Sequence, residues 1–398
     1  MTTTPSGVFI RDHFTWLAYF MLAYYSYMQA TLGPLMTFLR DELSLNYTVA
    51  SYHFSAFAFG MIFAGVFGDG ISRRWGRHWT FWGGGAGMIL GALLLILGQH
   101  PILTISGALV MGTIGSFLLV AIQATLADKH GDKRALALTE ANIAASFSAG
   151  LAPLFVGGFA AQGWGWRAAL VLGALVWCIV AVTARHISVP PAKKIGPKHM
   201  QPKGKLPPVF WVYWLVILFG VSVEWGFISW GADFLENVVH LARETASMWM
   251  SIFFVAMVIG RATGSVLTRT IPSSRLLLAA VITTLIGFPL FWLGQIAPVN
   301  IIGLFIAGIG VANLFPLTLS VVTTVAPLQP DTASARVSFG AGVAIFFAPQ
   351  ILGAIADQQG IQSAYGLIGV LLLLATLMVV TANHLALRQN WNSVPVQT

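Results

Sequence analysis

Apolar residues fill this chain in stretches of about 20, parted by short breaks that hold most of its charges, glycines and prolines. Twelve such stretches lie near 14–33, 48–68, 79–98, 102–126, 139–162 and 166–185, then 208–231, 246–269, 275–297, 301–326, 334–357 and 363–387. Each is long enough to cross a bilayer as a helix. Hydrocarbon offers no partner to a bare backbone, so helices rather than isolated strands are required. The pattern predicts an all-α polytopic membrane protein with twelve transmembrane helices. The break at 189–207 is rich in Pro, Lys and Gly and divides the chain into six-helix halves, 1–188 and 208–398.

The second half repeats the first at an offset of 196 positions. Ser51, Ser55, Phe57, Met61, Gly68 and Arg73 recur as Ser247, Ser251, Phe253, Met257, Gly264 and Arg269. Gly112 recurs as Gly308, and Ala152, Pro153, Gly157 and Gln162 as Ala348, Pro349, Gly353 and Gln358. Glycine and proline positions bend helices or let them approach closely, so matches there carry structural weight. An internal repeat in a very apolar chain predicts two pseudo-symmetric bundles with a site between them.

Composition sharpens this picture. The chain is 57% hydrophobic and 9% charged, with a mean hydropathy of +0.79; a soluble chain carries roughly 25% charged residues. The net charge of +8 invites a nucleic-acid reading, but its distribution does not. With the N-terminus in the cytoplasm, seventeen Lys and Arg fall inside and only Arg40, Arg167 and Arg243 outside. That asymmetry is the positive-inside signal of a membrane protein, and the inside cations meet anionic lipid heads. Lipid, not nucleic acid, is the expected large-scale partner. The reading places the protein in a prokaryotic inner membrane, as a monomer with both termini cytoplasmic. The first apolar run, preceded by Arg11 and Asp12, is a span and not a cleaved signal. The sequon Asn46-Tyr47-Thr48 matters only in a eukaryotic secretory pathway. The one cysteine, Cys178, can form no disulfide within the chain and is expected to pack as a small buried hydrophobe.

Between the second and third spans runs Gly65-Val-Phe-Gly68-Asp69, then Arg73-Arg74-Trp75-Gly76-Arg77-His78. With twelve spans, the 6+6 repeat and a basic central linker, this segment resembles the signature loop of the major facilitator superfamily. Gly65 and Asp69 match the opening of that loop. Its Gly-Arg pair comes about one helical turn late, at Gly76 and Arg77, and Gly70 stands where the family Arg follows the Asp. The resemblance implies an inner gate made by Asp69, Arg73 and Arg77, with Asp69 near the N-terminus of the eleventh span; an ordinary basic turn is the alternative. In the second half Ser265 stands where Asp69 stood, so the lock is asymmetric. The fifth span carries Gly150-Leu-Ala-Pro153-Leu-Phe-Val-Gly157-Gly158, a partial likeness to the superfamily's antiporter motif, read mainly as a bend and close-packing device.

Charged groups near the bilayer centre are costly and mark function by default. Glu224 is the clearest. It lies about 15 residues into the seventh span, roughly 22 Å from the cytoplasmic end. Desolvation disfavours the charged form of a carboxylate there, which suits proton coupling. A cationic substrate, a sugar hydroxyl or a plain helix–helix hydrogen bond are the alternatives. His53, one turn into the second span, is a possible outer-gate partner of Glu224, because spans two and seven meet at that gate in the superfamily. Asp233 competes for that role. Arg261 reads as a gate or snorkelling residue rather than a substrate ligand. Glu140, opening the fifth span beside Asn142, is expected to pair with loop cations near the inner gate.

Neutral groups complete the expected cavity. Tyr24 and Tyr27 share a helical face and Gln29 follows; Trp225 and Asn313 are further substrate-binding candidates, with Gln123 and Gln350 weaker. Helix packing is the alternative role for each. Trp164, Trp166, Trp211 and Trp214 are read as interfacial anchors. The first and fourth spans lack an acidic residue in their cores, and no array of buried Arg for small polyanions is seen. No phosphate loop, metalloprotease motif or nucleophile elbow is present, so neither ATP, a cofactor, a metal nor an enzymatic role is expected. These features predict a secondary active transporter of a small neutral or cationic organic molecule, working by alternating access and coupled to protons as a symporter or antiporter. A proton-independent facilitator, or a receptor on the same fold, are the rival readings.

Overall fold

The computed structural model describes residues 9–192 and 205–392, and every regular element within them is helical. The first half contains α1 (His13–Ala30), α2 (Leu32–Leu43), α3 (Tyr47–Trp75), α4 (Arg77–Leu97), α5 (Pro101–Val110), α6 (Ser116–His130), α7 (Arg134–Ala161) and α8 (Arg167–Thr183). The second contains α9 (Pro208–Asn237), α10 (Arg243–Leu267), α11 (Ser273–Leu293), α12 (Ala297–Val325), α13 (Pro330–Gln359) and α14 (Ile361–Asn392). Residues 193–204 of the expected linker lie outside the described residues.

Local chemistry sets these boundaries. Asp12 caps α1 by accepting from the Thr15 amide, and Asn46 caps α3 by accepting from the Val49 amide. Gly76, with φ +91°, lets the chain leave α3 and enter α4 at once. Between α5 and α6 the helix widens into a π turn at Met111–Gly115. There Gly112 lies so close to the Phe57 carbonyl that a Cβ would sit 2.2 Å from its oxygen. Asp12 also meets Lys129 at 2.5 Å. Burial works against its ionisation, but Lys129 and Thr15 outweigh that and hold the carboxyl below the usual carboxylate range.

Among the described residues nine helical stretches are long and apolar enough to cross a membrane. One of them, 101–161, turns at Gly131–Lys133 and packs α6 against α7, so it makes two passes. The Tyr-rich α1, of 18 residues, and α8, of 17, stand outside the nine. The first predicted span proves longer than its apolar run: after a break at Thr31 the chain continues as α2 to Leu43.

The repeat is visible in the helix starts. Tyr47, Arg77, Pro101 and Arg134 open helices, and so do Arg243, Ser273, Ala297 and Pro330, each 196 positions later. Most packing is within a half: α1 on α7 and α3 on α5 in the first, α11 on α12 and α9 on α13 and α14 in the second. The halves meet along α7 with α10, α3 with α13, and α2 with α9. The first two seams are copies of each other under the repeat. Two sequence expectations fail here. Cys178 is exposed on α8 rather than packed. Trp166 is buried, its indole N–H donating to Glu42 at 2.8 Å, so it anchors a loop and not the lipid interface.

Candidate functional site

Four helices bring polar groups to one place between the halves. On α10, Phe254, Met257 and Arg261 follow at helical spacing and share a face; on α7, Asn142, Ser146 and Ala149 do the same. With Ser26 and Gln29 of α1, and Glu224, Trp225 and Ile228 of α9, they line a cavity of about 160 Å³. Its wall mixes apolar side chains with convergent polar ones in nearly equal number, and such convergence is a feature of small-molecule sites. Arg261 donates to the Ser146 hydroxyl at 2.7 Å, joining the two halves through the wall. Its other terminal nitrogen lies 3.9 Å from a Glu224 carboxylate oxygen, near enough for attraction but beyond a hydrogen bond. Glu224 is 15% exposed and Arg261 42%, so the carboxylate sits deeper in the wall than the guanidinium.

The cavity is sealed on the face opposite the N-terminus, called here the far face. Arg40 of α2 pairs with Asp233 of α9, and Tyr47 donates to the same carboxylate at 2.9 Å. Asp357 of α13 accepts from the Tyr47 and Thr48 amides at 2.7 and 2.9 Å and from the Thr48 hydroxyl at 2.5 Å. It therefore caps a helix of the other half. Arg243 ties Asp41 to Glu236 at 2.9 and 2.8 Å. Beneath these, Ser51 donates to Gln350 and Ser55 to the Phe346 carbonyl, at 2.5 and 2.8 Å. Trp230 stands edge-on to Tyr47 and Phe54 and closes the floor of the seal.

The expected site residues divide into those that meet the cavity or the seal and those that do not. Glu224, Gln29 and Trp225 line the cavity, and Asp233 is at the heart of the far seal. His53 does not meet Glu224: it is buried between α3 and α5, its ring bonded to Thr104 and to the Ala50 carbonyl at 2.8 and 3.0 Å. Tyr24 and Tyr27 turn into the first bundle, donating to the carbonyls of Gly85 and Ala169. Asn313 fastens α12 to α10 through the Gly260 carbonyl at 2.7 Å. At the opposite face, Asp69 bonds to Arg73 one turn along its own helix and, among the described residues, to nothing in the second half. Arg77 is buried against Asp128 at 2.6 Å. Glu140 binds Arg11 and the Tyr19 hydroxyl, fastening the segment before α1 rather than a loop. None of these four bonds reaches across the halves.

Sequence reasoning passed over Ser26, Ser146, Phe254 and Met257, and left Arg40, Tyr47 and Asp357 out of the gate. The serines are too common in membrane helices to stand out. Arg261 was visible, but its depth suggested snorkelling. For the seal the signal existed: Arg40, Asp41 and Glu42 crowd the end of the first span, and charges there need partners.

The sequence model of the Major Facilitator Superfamily matches residues 15–330 and 234–396. An uncharacterized MFS-type transporter of Yersinia pestis is 24% identical over 361 residues, covering 86% of this chain and 89% of that one. Among solved structures, the nucleoside transporter NupG superposes with a TM-score of 0.75 at 14% identity, over 92% of this chain and 99% of that one. A bacterial homologue of the human lysosomal transporter Spinster, inward-facing and occupied, gives 0.74 at 14%, over 96% and 98%. A peptide transporter, POT, in complex with sulfate gives 0.73 at 13%, over 96% and 97%. At such identities these three share the fold with this chain.

Proposed function

We propose, from the premise that this chain belongs to the Major Facilitator Superfamily, that it is a secondary transporter coupling a small organic substrate to protons through Glu224. One observation carries the reading: a carboxylate in mid-helix faces a cavity between the halves, with a single cation 3.9 Å away and, among the described residues, no hydrogen bond of its own. A charge in such a place is costly to keep unless it is used.

The excess of Lys and Arg supports a cytoplasmic N-terminal face. With that orientation the cavity is shut to the outside and the state is inward-facing. The two halves rock as units about the cavity. Opening to the outside breaks Arg40–Asp233, Tyr47–Asp233 and the Asp357 cap. Closing the inside brings the Asp69 loop against the second half, with Arg77 holding the loop firm through Asp128. Glu224 takes up its proton on one side and gives it up on the other. The protein works as a monomer in a prokaryotic inner membrane, and the sign of proton movement separates symport from antiport.

The test uses purified protein in liposomes loaded with a pH-sensitive dye. Glu224→Gln keeps shape and hydrogen-bonding capacity but cannot ionise. Substrate-driven proton movement should fall at least a hundredfold, with folding and expression unchanged. Undiminished coupling in that variant would remove Glu224 from the mechanism.

A further inference from the structure

We infer that the cavity selects a small organic acid bearing one carboxylate, gripped by Arg261 and carried together with the proton that neutralises Glu224. The inference deepens the proton-coupled reading above and rests on it. It replaces the expectation of a neutral or cationic substrate, because Arg261 lines the cavity instead of reaching away from it.

Three observations support it. A guanidinium has five N–H donors, and Arg261 gives one to Ser146 while standing too far from Glu224 for a hydrogen bond. The side chain as a whole is 42% exposed, and the guanidinium's remaining N–H groups match a carboxylate's two oxygens. Next is the charge balance. Glu224 and Arg261 are the two ionisable groups in the wall; α1 and α7 present only Ser26, Gln29, Asn142 and Ser146 as polar neighbours. With Glu224 ionised the cavity is neutral. With Glu224 protonated it carries one positive charge, which one carboxylate cancels. The loaded cavity can then close into low dielectric without a net charge, whereas with the proton aboard a neutral molecule or a dianion leaves one charge uncompensated and a cation leaves two. Last is size. The space of about 160 Å³ is close to the roughly 150 Å³ that holds a benzene ring, and Trp225, Phe254 and Met257 offer an apolar wall for such a body.

The experiment uses three matched probes with one aromatic body: phenylacetate, phenylacetamide and phenethylamine. Binding to the purified full-length protein is followed by calorimetry at pH 8, where Glu224 starts ionised more readily than under acid conditions, together with proton uptake in weak buffer. Phenylacetate should bind saturably and at least tenfold more tightly than the amide or the amine, with close to one proton taken up per acid bound. Arg261→Gln should lose at least tenfold in phenylacetate affinity, and Arg261→Lys, which keeps the charge but not the fork, should fall between. Equal or tighter binding of the amide or amine, no saturable binding of phenylacetate, or binding without proton uptake would each overturn the inference. The wild-type comparison decides even where an Arg261 variant fails to fold. Liposome flux separates the two levels. Proton-linked movement of the amine or amide sinks the acid class and leaves the transporter reading standing; acid binding with proton uptake but no flux keeps the acid site and sinks the transport reading.

Discussion

The seam between α3 and α13 and the seam between α10 and α7 are copies under the 196-residue repeat, yet they do different work. In the first, Ser51 and Ser55 are bonded to Gln350 and Phe346, and Asp357 caps α3. In the second, the matching Ser247 and Ser251 are buried without a partner, because Leu154 stands where Gln350 does and Ala161 where Asp357 does. Deeper in, the roles reverse. Arg261 and Ser146 meet in the second seam, while their counterparts in the first are Gly65 and Gly342. Glu224 likewise has only Met28 as its counterpart. One seam thus holds a polar latch near the far face and is plain below it. The other is plain near the far face and holds the charged cavity below it. The repeated backbone supplies the close-packed seam twice, and the side chains then give inter-half hydrogen bonds to one copy and the charged cavity wall to the other.

What both seams keep is closeness of backbone, and breaking that should have the largest effect. A Cβ on Gly157 would sit 2.3 Å from the Glu244 carbonyl oxygen; on Gly353 it would sit 2.8 Å from that of Tyr47. Both neighbours are main chain and cannot swing aside. Gly157→Ala should therefore destabilise the far-sealed state by about 1–3 kcal/mol, and Gly353→Ala by less. Thermal unfolding in detergent measures the ranking. Equal melting of both variants with the parent protein would mean that the seams are looser than described.

A medium effect should come from the latch that only one seam has. Asp357→Ala removes three hydrogen bonds from the first turn of α3. Loss of a helix cap costs about 1 kcal/mol, up to about 2, or roughly a 5–30-fold change in population. The expected result is a shift toward the state open at the far face. Spin labels on Gln99 and Gln362, both exposed, in a Cys178→Ser background would report it as a longer distance. An unchanged distance distribution would show that Arg40–Asp233 holds the seal without help.

Much of this was legible in the sequence, and the reasons differ by element. Apolar runs fixed the helices because a bilayer admits little else, and the offset at Gly, Pro and Ser positions revealed the pairing of seams. Glu224 stood out because a carboxylate in mid-span is rare. The tyrosines were misjudged: periodicity puts Tyr24 and Tyr27 on one face, but only packing tells whether that face meets a cavity or carbonyls of a neighbouring helix. His53 failed for the same reason, since Thr104 lies 51 residues away and nothing local announces it. Arg261 reads from sequence as a gate or snorkelling residue because snorkelling and cavity-lining demand the same depth; only packing places it in the cavity wall. Of the residues expected at the inner gate, Asp69, Arg77 and Glu140 make bonds within the first half among the described residues.

The smallest effect is also the sharpest test of the asymmetry, because it compares the same residue type at the same repeat position. Ser51 donates to Gln350 across the seam, so Ser51→Ala should cost about 1 kcal/mol. Ser251 is 6% exposed and its hydroxyl has no partner, so Ser251→Ala removes a buried polar group that was already unsatisfied. That change should be neutral or slightly stabilising, within roughly 0.5 kcal/mol. Melting temperatures of the two single variants, measured side by side, decide the matter. If Ser251→Ala costs as much as Ser51→Ala, the second seam has a polar partner after all, and the division of labour between the seams would have to rest on Arg261 and Asp357 alone.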